Sequence, residues 1–260
     1  MGVCEMPERT SYEPGTPCWV DVGVPDLDAA IAFYTGLFGW DVERSDVPDL
    51  PYAQFTLRGQ RVAGVGPQES ADMPPFWTVY VSVTDADASL AAIEAAGGTV
   101  VVPGMDIMDS GRMGVAQDPN GTFISVWQPD QHPGCGIVNE PGSFGWNELA
   151  ATDLAVARDF YTAAFGWGID DQASSDTSAL FTVDGRIVCG AHVANEGEFP
   201  AWSVWFGAED CDASTDRAVE LGGTVVMPPD DMDFGRGSLV ADPAGAVFGL
   251  ASTKPEYLDH

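Results

Sequence analysis

Basic side chains are scarce in this sequence of 260 residues, which has ten Lys and Arg against forty Asp and Glu and a formal net charge of −30. A field of that sign repels nucleic-acid phosphates and anionic lipid surfaces, so we expect neither as a partner. Apolar runs of 18 residues are also missing, which argues against a membrane-spanning helix. Residues 1–17 lack the apolar core of a signal peptide, so we expect a cytoplasmic protein.

Several motifs of enzyme chemistry are missing as well. The five cysteines are odd in number and contain no C-x-x-C pair, as in a cytosolic protein with free thiols. We find no G-x-S-x-G nucleophile elbow and no G-x-x-x-x-G-K-[ST] phosphate loop. A strand–G-x-G-x-x-G–helix unit is missing too. These absences predict that the protein uses no nucleotide, and we expect no cofactor.

An internal repeat organises the chain. Residues 33–40 read FYTGLFGW and residues 160–167 read FYTAAFGW. The segment GGTVV at 97–101 returns at 222–226, and the turn beginning at Asp118 returns in Asp-Pro-x-Gly form at Asp242. Both halves should therefore share one fold. We predict a first domain at residues 14–130, a linker at 131–145 and a second domain at 146–253.

Each half itself contains a shorter pattern twice. A strand-like stretch at residues 18–24 is followed by Asp26, a helix N-cap. The next apolar residues fall at i, i+3, i+4, i+7 and i+8 up to Phe38, which indicates a helix on a sheet that ends at Gly39. Three short strands follow, and the pattern restarts with a strand at 77–83. The chain therefore reads as βαβββ four times, an α+β fold.

This order, with FY-x-x-x-FGW after the first strand, resembles the vicinal oxygen chelate superfamily of glyoxalase I, bleomycin-resistance proteins and extradiol dioxygenases. The W-V-D and W-N-E openings and the D-x-G-R turns are similar to two-domain glyoxalase-like proteins of actinomycetes, which include accessory hydroxylase-like proteins of anthracycline pathways. The resemblance implies four βαβββ modules that form two cupped mixed sheets. It also implies a role in antibiotic biosynthesis or self-resistance.

The resemblance implies metal ligands on the first, fifth and last strand of each half, facing into the cup. In the first half those positions hold Trp19, Thr78 and Ser125. In the second half they hold Trp146, Ser203 and Gly249. None is the imidazole, carboxylate or thiolate that divalent ions prefer, and His132, His192 and His260 do not fall on the pattern. The sequence therefore predicts a metal-independent protein.

Side chains two apart on a strand share a face, so Asp21, Tyr80 and Trp127 should face the first cup. Glu148 and Trp205 should face the second cup in the same way. Aromatic walls with one carboxylate suit a flat, largely apolar ligand. The candidate ligand-binding residues are Trp19, Thr78, Tyr80, Ser125, Trp127, Trp146, Ser203, Trp205, Arg112 and Arg236. For the tryptophans, packing between sheet and helix or between domains is the alternative interpretation.

Two environments are open to the carboxylates of Asp21 and Glu148. Pairing with Arg112 and Arg236, which occupy equivalent turns, would lower the carboxylate pKa and favour a structural or anion-binding role. Burial among indoles without a partner would raise the pKa and favour general acid–base catalysis.

We therefore hypothesise a protein that binds a small apolar or aromatic metabolite. The alternative is a metal-free enzyme (isomerase, cyclase, hydratase, lyase or hydroxylase-associated) that uses Asp21 or Glu148 as general acid or base. A stress or housekeeping protein without a dedicated ligand is a third possibility. The two halves can form a pseudo-dimer within one chain, so we expect a monomer or a homodimer. The halves differ at 21/148, 80/205 and 127/251, so their cups need not be equivalent.

Overall fold

Two eight-stranded mixed sheets, one from each half of the chain, make up the protein in a computed structural model that describes residues 8–47, 51–68, 70 and 73–254. The first half contains β1 (Pro17–Val24), α1 (Leu27–Phe38), β2 (Asp41–Arg44), β3 (Ala53–Leu57), β4 (Gln60–Pro67), β5 (Phe76–Ser82), α2 (Ala86–Ala95), β6 (Thr99–Ile107), β7 (Gly111–Gln117) and β8 (Phe123–Pro129). The second half contains β9 (Phe144–Ala151), α3 (Leu154–Phe165), β10 (Gly168–Ile169), β11 (Ser178–Val183), β12 (Arg186–Val193), β13 (Trp202–Gly207), α4 (Cys211–Glu220), β14 (Thr224–Met232), β15 (Gly235–Ala241) and β16 (Val247–Thr253). The predicted α+β fold of four βαβββ modules is confirmed.

The strand order places the first strands of both modules at the centre of each sheet. The first sheet runs β2-β3-β4-β1-β5-β8-β7-β6, and the second repeats this order as β10-β11-β12-β9-β13-β16-β15-β14. Strand β1 pairs in parallel with β4 and in antiparallel fashion with β5. Residues from β1, β5 and β8 therefore lie side by side in the middle of the sheet.

Local sequence explains where the helices begin and end. The carboxylates of Asp26, Asp85, Asp153 and Asp210 each accept a hydrogen bond from a backbone N–H of the first turn. That interaction satisfies a helix donor that otherwise has no partner. Helices α1 and α3 end at Gly39 and Gly166, whose left-handed φ angles of 69° and 70° suit glycine.

The repeated FYTGLFGW motif joins the two halves of the protein. The Tyr34 hydroxyl donates to Asp242 Oδ2 at 3.0 Å, and the Tyr161 hydroxyl donates to Asp118 Oδ2 at 3.1 Å. Both hydrogen bonds cross between the halves and are buried. We call these four side chains the clasp. They tie the helix of each half to the last hairpin of the other half, because Asp118 and Asp242 begin the turns before β8 and β16.

The motif tryptophans reinforce the same contact. The indole N–H of Trp40 donates at 2.7 Å to the carbonyl of Gly142, just before the first strand of the second half. The indole N–H of Trp167 donates at 2.7 Å to the carbonyl of Gly15, just before the first strand of the first half. Phe33 and Phe160 reach across the interface so closely that a Cβ on Gly223 or Gly98 would stand 3.2 or 2.9 Å from their rings. The glycine pairs after α2 and α4 therefore permit the two halves to approach.

The segment between the halves is tied to the first sheet. The backbone N–H of Cys135 donates to the carbonyl of Cys18 at 2.8 Å, and the N–H of Gly136 donates to the carbonyl of Arg61 at 2.7 Å. This segment therefore fills the gap between the start of β1 and the start of β4. It also brings the preceding residue His132, which is 5 % exposed, against the face of the sheet that carries Trp19.

Candidate functional site

A cavity of about 590 Å³ opens on the first sheet. Its size falls within the range of small-molecule sites, which is about 300–1,000 Å³. Its aromatic lining comprises Trp19, Tyr52, Phe76, Tyr80, Phe123 and Trp127, and its methionines are Met73, Met105, Met108 and Met113. Of these, Met105 and Met108 are about half exposed at the rim, at 46 % and 56 %. Flexible thioether side chains adapt to ligands of different shape.

Asp21 is the carboxylate on the floor of this cavity, as the alternation of β1 predicts. Its Oδ2 atom accepts hydrogen bonds from the hydroxyls of Tyr52 and Tyr80, both at 3.1 Å. Tyr52 in turn accepts from Trp19 Nε1 at 3.3 Å. Burial raises the pKa of Asp21 to about 6, and the hydrogen bonds from Tyr80, Tyr52 and Thr78 limit the rise. The site thus holds a carboxyl group that titrates near neutral pH.

His132 contributes a neutral imidazole to the wall of the same cavity. Its ring packs against Trp19 at 4.4 Å between centroids and against Trp127 at 5.6 Å. The Trp127 indole donates to the His132 carbonyl at 2.7 Å. Within the described part of the chain, neither ring nitrogen has a hydrogen-bond partner. Burial and, to a smaller extent, Arg61 lower the pKa of His132 to about 4, so the ring is neutral at pH 7.

The structure brings most of the residues predicted for the first cup together. Trp19, Asp21, Thr78, Tyr80 and Trp127 all line the cavity. Ser125 lies on the same strand face, but it is fully buried and its hydroxyl has no hydrogen-bond partner among the described residues. Tyr52 was missed because it lies just before β3 and has no aromatic counterpart in the repeat. His132 was missed because the sequence places it in a linker.

Of the two environments considered for the cup carboxylates, pairing with Arg112 and Arg236 is wrong. Arg112 binds Asp87 at 3.0 Å and Asp106 at 2.8 Å. Arg236 binds Asp212 and, at 3.0 Å, Asp231. Each arginine therefore ties the start of the second helix of its half to the edge hairpin. The physical reason is proximity: the acidic first turn of α2 or α4 lies beside the hairpin that carries the arginine.

The second cup is filled by its own side chains. The ring of Trp205 lies over Gly249, where a Cβ would stand 2.0 Å from an indole carbon. Phe234 packs edge-on against Trp205 with 6.0 Å between centroids. The Trp205 indole donates to Ser203 Oγ at 3.1 Å, and Ser203 donates to the Glu148 carbonyl. The predicted polar residues of this cup therefore satisfy one another.

The carboxylate of the second cup is neutralised within the protein. Glu148 Oε2 accepts from Trp146 Nε1 at 2.8 Å, and its Oε1 lies 3.3 Å from His192 Nδ1. His192 Nε2 lies 3.1 Å from Glu198. Hydrogen bonding to Glu148, followed by the influence of Glu198, raises the pKa of His192 to about 9 despite partial burial. The imidazolium therefore carries a positive charge at pH 7.

The register of the two sheets shows how the cups diverged. Gly64 and Gly66 on β4 correspond to Gly190 and His192 on β12, because Asp21 pairs with Gly64 and Glu148 with Gly190. In the first half, the Tyr52 ring covers Gly64 and Gly66. In the second half, Ser178 stands in the place of Tyr52, and His192 fills the space from the neighbouring strand. Asp21 therefore accepts hydrogen bonds from hydroxyl groups, whereas Glu148 pairs with an imidazolium.

The family positions for metal ligands do not fit a divalent ion. On β1, β5 and β8 they present an indole and two hydroxyls, and in the second half Trp205 covers the glycine of the third position. Across residues 8–47, 51–68, 70 and 73–254, no group of three or more His, Cys, Asp or Glu side chains is arranged to hold a metal ion.

Comparison with known proteins agrees with this architecture. The family model described as Glyoxalase/Bleomycin resistance protein/Dioxygenase superfamily matches residues 18–126 and again residues 138–250. The chain belongs to this superfamily. None of the helices in the described residues has the length and hydropathy of a bilayer-spanning helix.

Similar proteins come from actinomycetes. The anthracycline biosynthesis protein DauV of Streptomyces sp. (strain C5) is 37 % identical over 266 residues, covering 95 % of this chain and 97 % of that protein. CFP32 of Mycobacterium tuberculosis, provisionally named a glyoxylase, is 35 % identical over 260 residues, covering 96 % of this chain and 100 % of that protein.

Among solved structures, the Mn(II)-bound glyoxalase of Novosphingobium aromaticivorans has a TM-score of 0.66 at 18 % identity. The match covers 92 % of this chain and 82 % of that chain and shows the shared fold alone.

Proposed function

We propose that this protein binds a small, flat, largely apolar metabolite in the cup of its first half, without a metal ion, as part of secondary metabolism. The observation that carries this proposal is the cavity of about 590 Å³ with aromatic and methionine walls around the carboxylate of Asp21. The second cup is filled by Trp205 and Phe234, so the proposal assigns ligand binding to the first half alone. Similarity to DauV, an anthracycline biosynthesis protein, supports the link to secondary metabolism.

The physical basis is burial of apolar surface. A flat ligand of three fused rings can stack against the aromatic side chains while the methionines of β6 and β7 adjust to its outline. Removing apolar surface from water contributes about 25 cal/mol per Å². Asp21, held in place by its hydrogen bonds to two tyrosine hydroxyls, supplies a polar contact that orients the ligand. Stacking and orientation together require no reactive group.

A metal-free enzyme is the second candidate, and one observation favours it. The carboxyl group of Asp21 has a pKa near 6 because it is buried, which suits a group that both accepts and returns a proton at neutral pH. In that case Asp21→Asn abolishes conversion of the ligand yet leaves its affinity within about tenfold. Mass spectrometry of the bound compound before and after incubation separates the candidates, because a binding protein returns the compound unchanged.

A pair of matched variants tests which cup binds. Val101 lines the first cavity and is 45 % exposed, and Val226, its counterpart in the repeat, is 54 % exposed. Val101→Trp narrows the first cup, whereas Val226→Trp adds the same bulk to the other half. With 2-(hydroxymethyl)anthraquinone as probe, we expect quenching of tryptophan fluorescence in wild-type protein and in Val226→Trp. We expect affinity to fall at least tenfold in Val101→Trp.

Equal affinity in both variants would contradict assignment of the site to the first cup. Failure of wild-type protein to bind this probe and also its 2-aminomethyl and 2-carboxylate analogues would contradict the proposal itself. Circular dichroism of each variant checks that the fold is retained.

A further inference from the structure

The charged groups around the first cup are unbalanced. The cavity is lined by Asp21, Glu43, Arg44 and the neutral ring of His132. Arg44 lies at the rim, where it is bound to Asp28. Among the described residues, Asp21 is held by hydroxyl groups and forms no ion pair with Arg, Lys or His. The floor of the cup thus holds a carboxylate without a cation.

The second half of the same chain shows what balances a carboxylate at this position. Glu148 occupies the place of Asp21 and is paired with the His192 imidazolium. The residue that corresponds to His192 in the first half is Gly66, which has no side chain. The protein therefore places a positive charge beside Glu148 in the filled cup, and among the described residues it places none beside Asp21 in the open cup. A buried carboxylate without an opposite charge beside it is costly, and a cation brought by a ligand offsets part of that cost.

The surroundings of Asp21 favour a cation in a second way. The hydroxyls of Tyr52 and Tyr80 contact its carboxylate, and the Trp19 indole contacts the Tyr52 hydroxyl. Aromatic faces attract ammonium groups through their quadrupole, by about 0.5–2 kcal/mol per contact. The net charge of −30 also raises the concentration of cations near the protein surface and disfavours anions. Local and global electrostatics therefore favour the same sign of ligand.

We propose that the ligand of the first cup carries a protonated amine that binds at Asp21, while its flat apolar part lies against the methionine-rich wall. This inference rests on the proposed function and names its ligand class: a cationic aromatic compound. The ammonium group supplies at Asp21 the positive charge that His192 supplies at Glu148 in the second cup. Tyr52 and Tyr80 keep their hydrogen bonds to Oδ2 of Asp21.

Three probes with the same ring system test this inference in the full-length protein. They are 2-(aminomethyl)anthraquinone, which is cationic at pH 7, 2-(hydroxymethyl)anthraquinone, which is neutral, and anthraquinone-2-carboxylate, which is anionic. Isothermal titration calorimetry at low and moderate salt measures each affinity. We expect the amine to bind at least tenfold more tightly than the alcohol and the carboxylate to bind most weakly. The advantage of the amine should shrink as salt is raised.

Two variants separate Asp21 from the overall charge of the protein. Asp21→Asn keeps the shape of the side chain, and in it we expect the amine and the alcohol to bind within about twofold of each other. Asp171→Asn removes the same unit of charge from an exposed site in the second half, and we expect it to keep the tenfold preference.

The outcomes distinguish this inference from the proposed function. If the alcohol binds wild-type protein as tightly as the amine, the inference is wrong and the proposed function stands. A preference that persists undiminished in Asp21→Asn also overturns the inference, since the overall charge then explains it. If none of the three probes binds, the proposed function fails and the inference fails with it. The comparison of probes on wild-type protein needs no variant to fold.

Discussion

Tyr161→Phe removes a single hydroxyl from the clasp between the two halves and tests whether the repeated motif holds them together. That hydroxyl donates to Asp118 Oδ2 at 3.1 Å and accepts from Trp202 Nε1 at 2.9 Å, and both hydrogen bonds are buried. Phenylalanine fills almost the same space as tyrosine. The change therefore tests hydrogen bonding rather than packing.

The expected loss in free energy of unfolding depends on which hydrogen bonds the substitution removes. A hydrogen bond to a charged group contributes about 1.5–3 kcal/mol and one between neutral groups contributes about 0.5–1.5 kcal/mol. Tyr161→Phe loses one of each kind, so we expect the free energy of unfolding to fall by about 3 kcal/mol. Tyr34→Phe should cost less, about 2 kcal/mol, since Tyr34 donates only to Asp242 and the indole N–H of Trp77 has no hydrogen-bond partner among the described residues.

Urea denaturation followed by circular dichroism measures these differences. Tyr12→Phe is the matched control, because the Tyr12 hydroxyl donates at 2.7 Å to a neutral acceptor, the carbonyl of Cys135, and takes no part in the clasp. We expect it to cost about 1 kcal/mol. The double variant at 34 and 161 should show the sum of the single effects, because the two sites share no partner.

Two results would refute this reasoning. If Tyr161→Phe costs no more than Tyr12→Phe, the clasp does not stabilise the protein beyond an ordinary hydrogen bond. If Tyr34→Phe lowers the free energy of unfolding as much as Tyr161→Phe does, the hydrogen bond from Trp202 to Tyr161 adds nothing to stability.

Further predictions concern titration. In a ¹H–¹⁵N NMR titration, we expect His132 to stay neutral down to about pH 4 and His192 to stay protonated up to about pH 9; two ordinary values near 6.5 would contradict both environments. The folded-state pKa of His192 is raised, so the stability it contributes is complete below about pH 6.5 and is lost as pH rises through 9; Glu148→Gln should remove much of this dependence. The pKa of Asp21 is also raised, to about 6, so its contribution is complete below about pH 4 and is lost as pH rises through 6. Relative to wild type, Asp21→Asn should therefore gain about 2 kcal/mol of stability between pH 4 and pH 8, after allowance for solvent screening; a parallel pair of stability curves would show that Asp21 titrates normally.

Local sequence accounts for most of the fold. The Asp N-caps, the glycines at the ends of α1 and α3 and the repeated FYTGLFGW motif predict the elements, because each acts within a few residues of itself. The alternation of β1 also predicts that Trp19 and Asp21 face the same side. What the motif does was not predicted: Tyr34 and Trp40 bind groups more than 100 residues away.

The candidate site depends more strongly on tertiary contacts. Tyr52 joins Asp21 because β3, β4 and β1 lie side by side, and His132 joins because its linker is bound between two strands. Sequence alone allowed Arg112 to pair with the carboxylate of the cup. Only the packing of α2 against the edge hairpin decides that it binds Asp87.

By itself, the sequence determined the duplicated α+β fold, the superfamily, and the presence of an aromatic cup with a carboxylate in each half. The fold and the cup residues follow from periodicity, caps and repetition, which are properties of neighbouring residues, whereas the superfamily follows from the resemblance of the FY-x-x-x-FGW motif and the element order. Only the tertiary structure decided that the first cup is open and the second is filled, because that depends on which ring lies over which glycine. Trp205 covers Gly249, and His192 balances Glu148, whereas Asp21 faces an open cavity with hydroxyl groups alone.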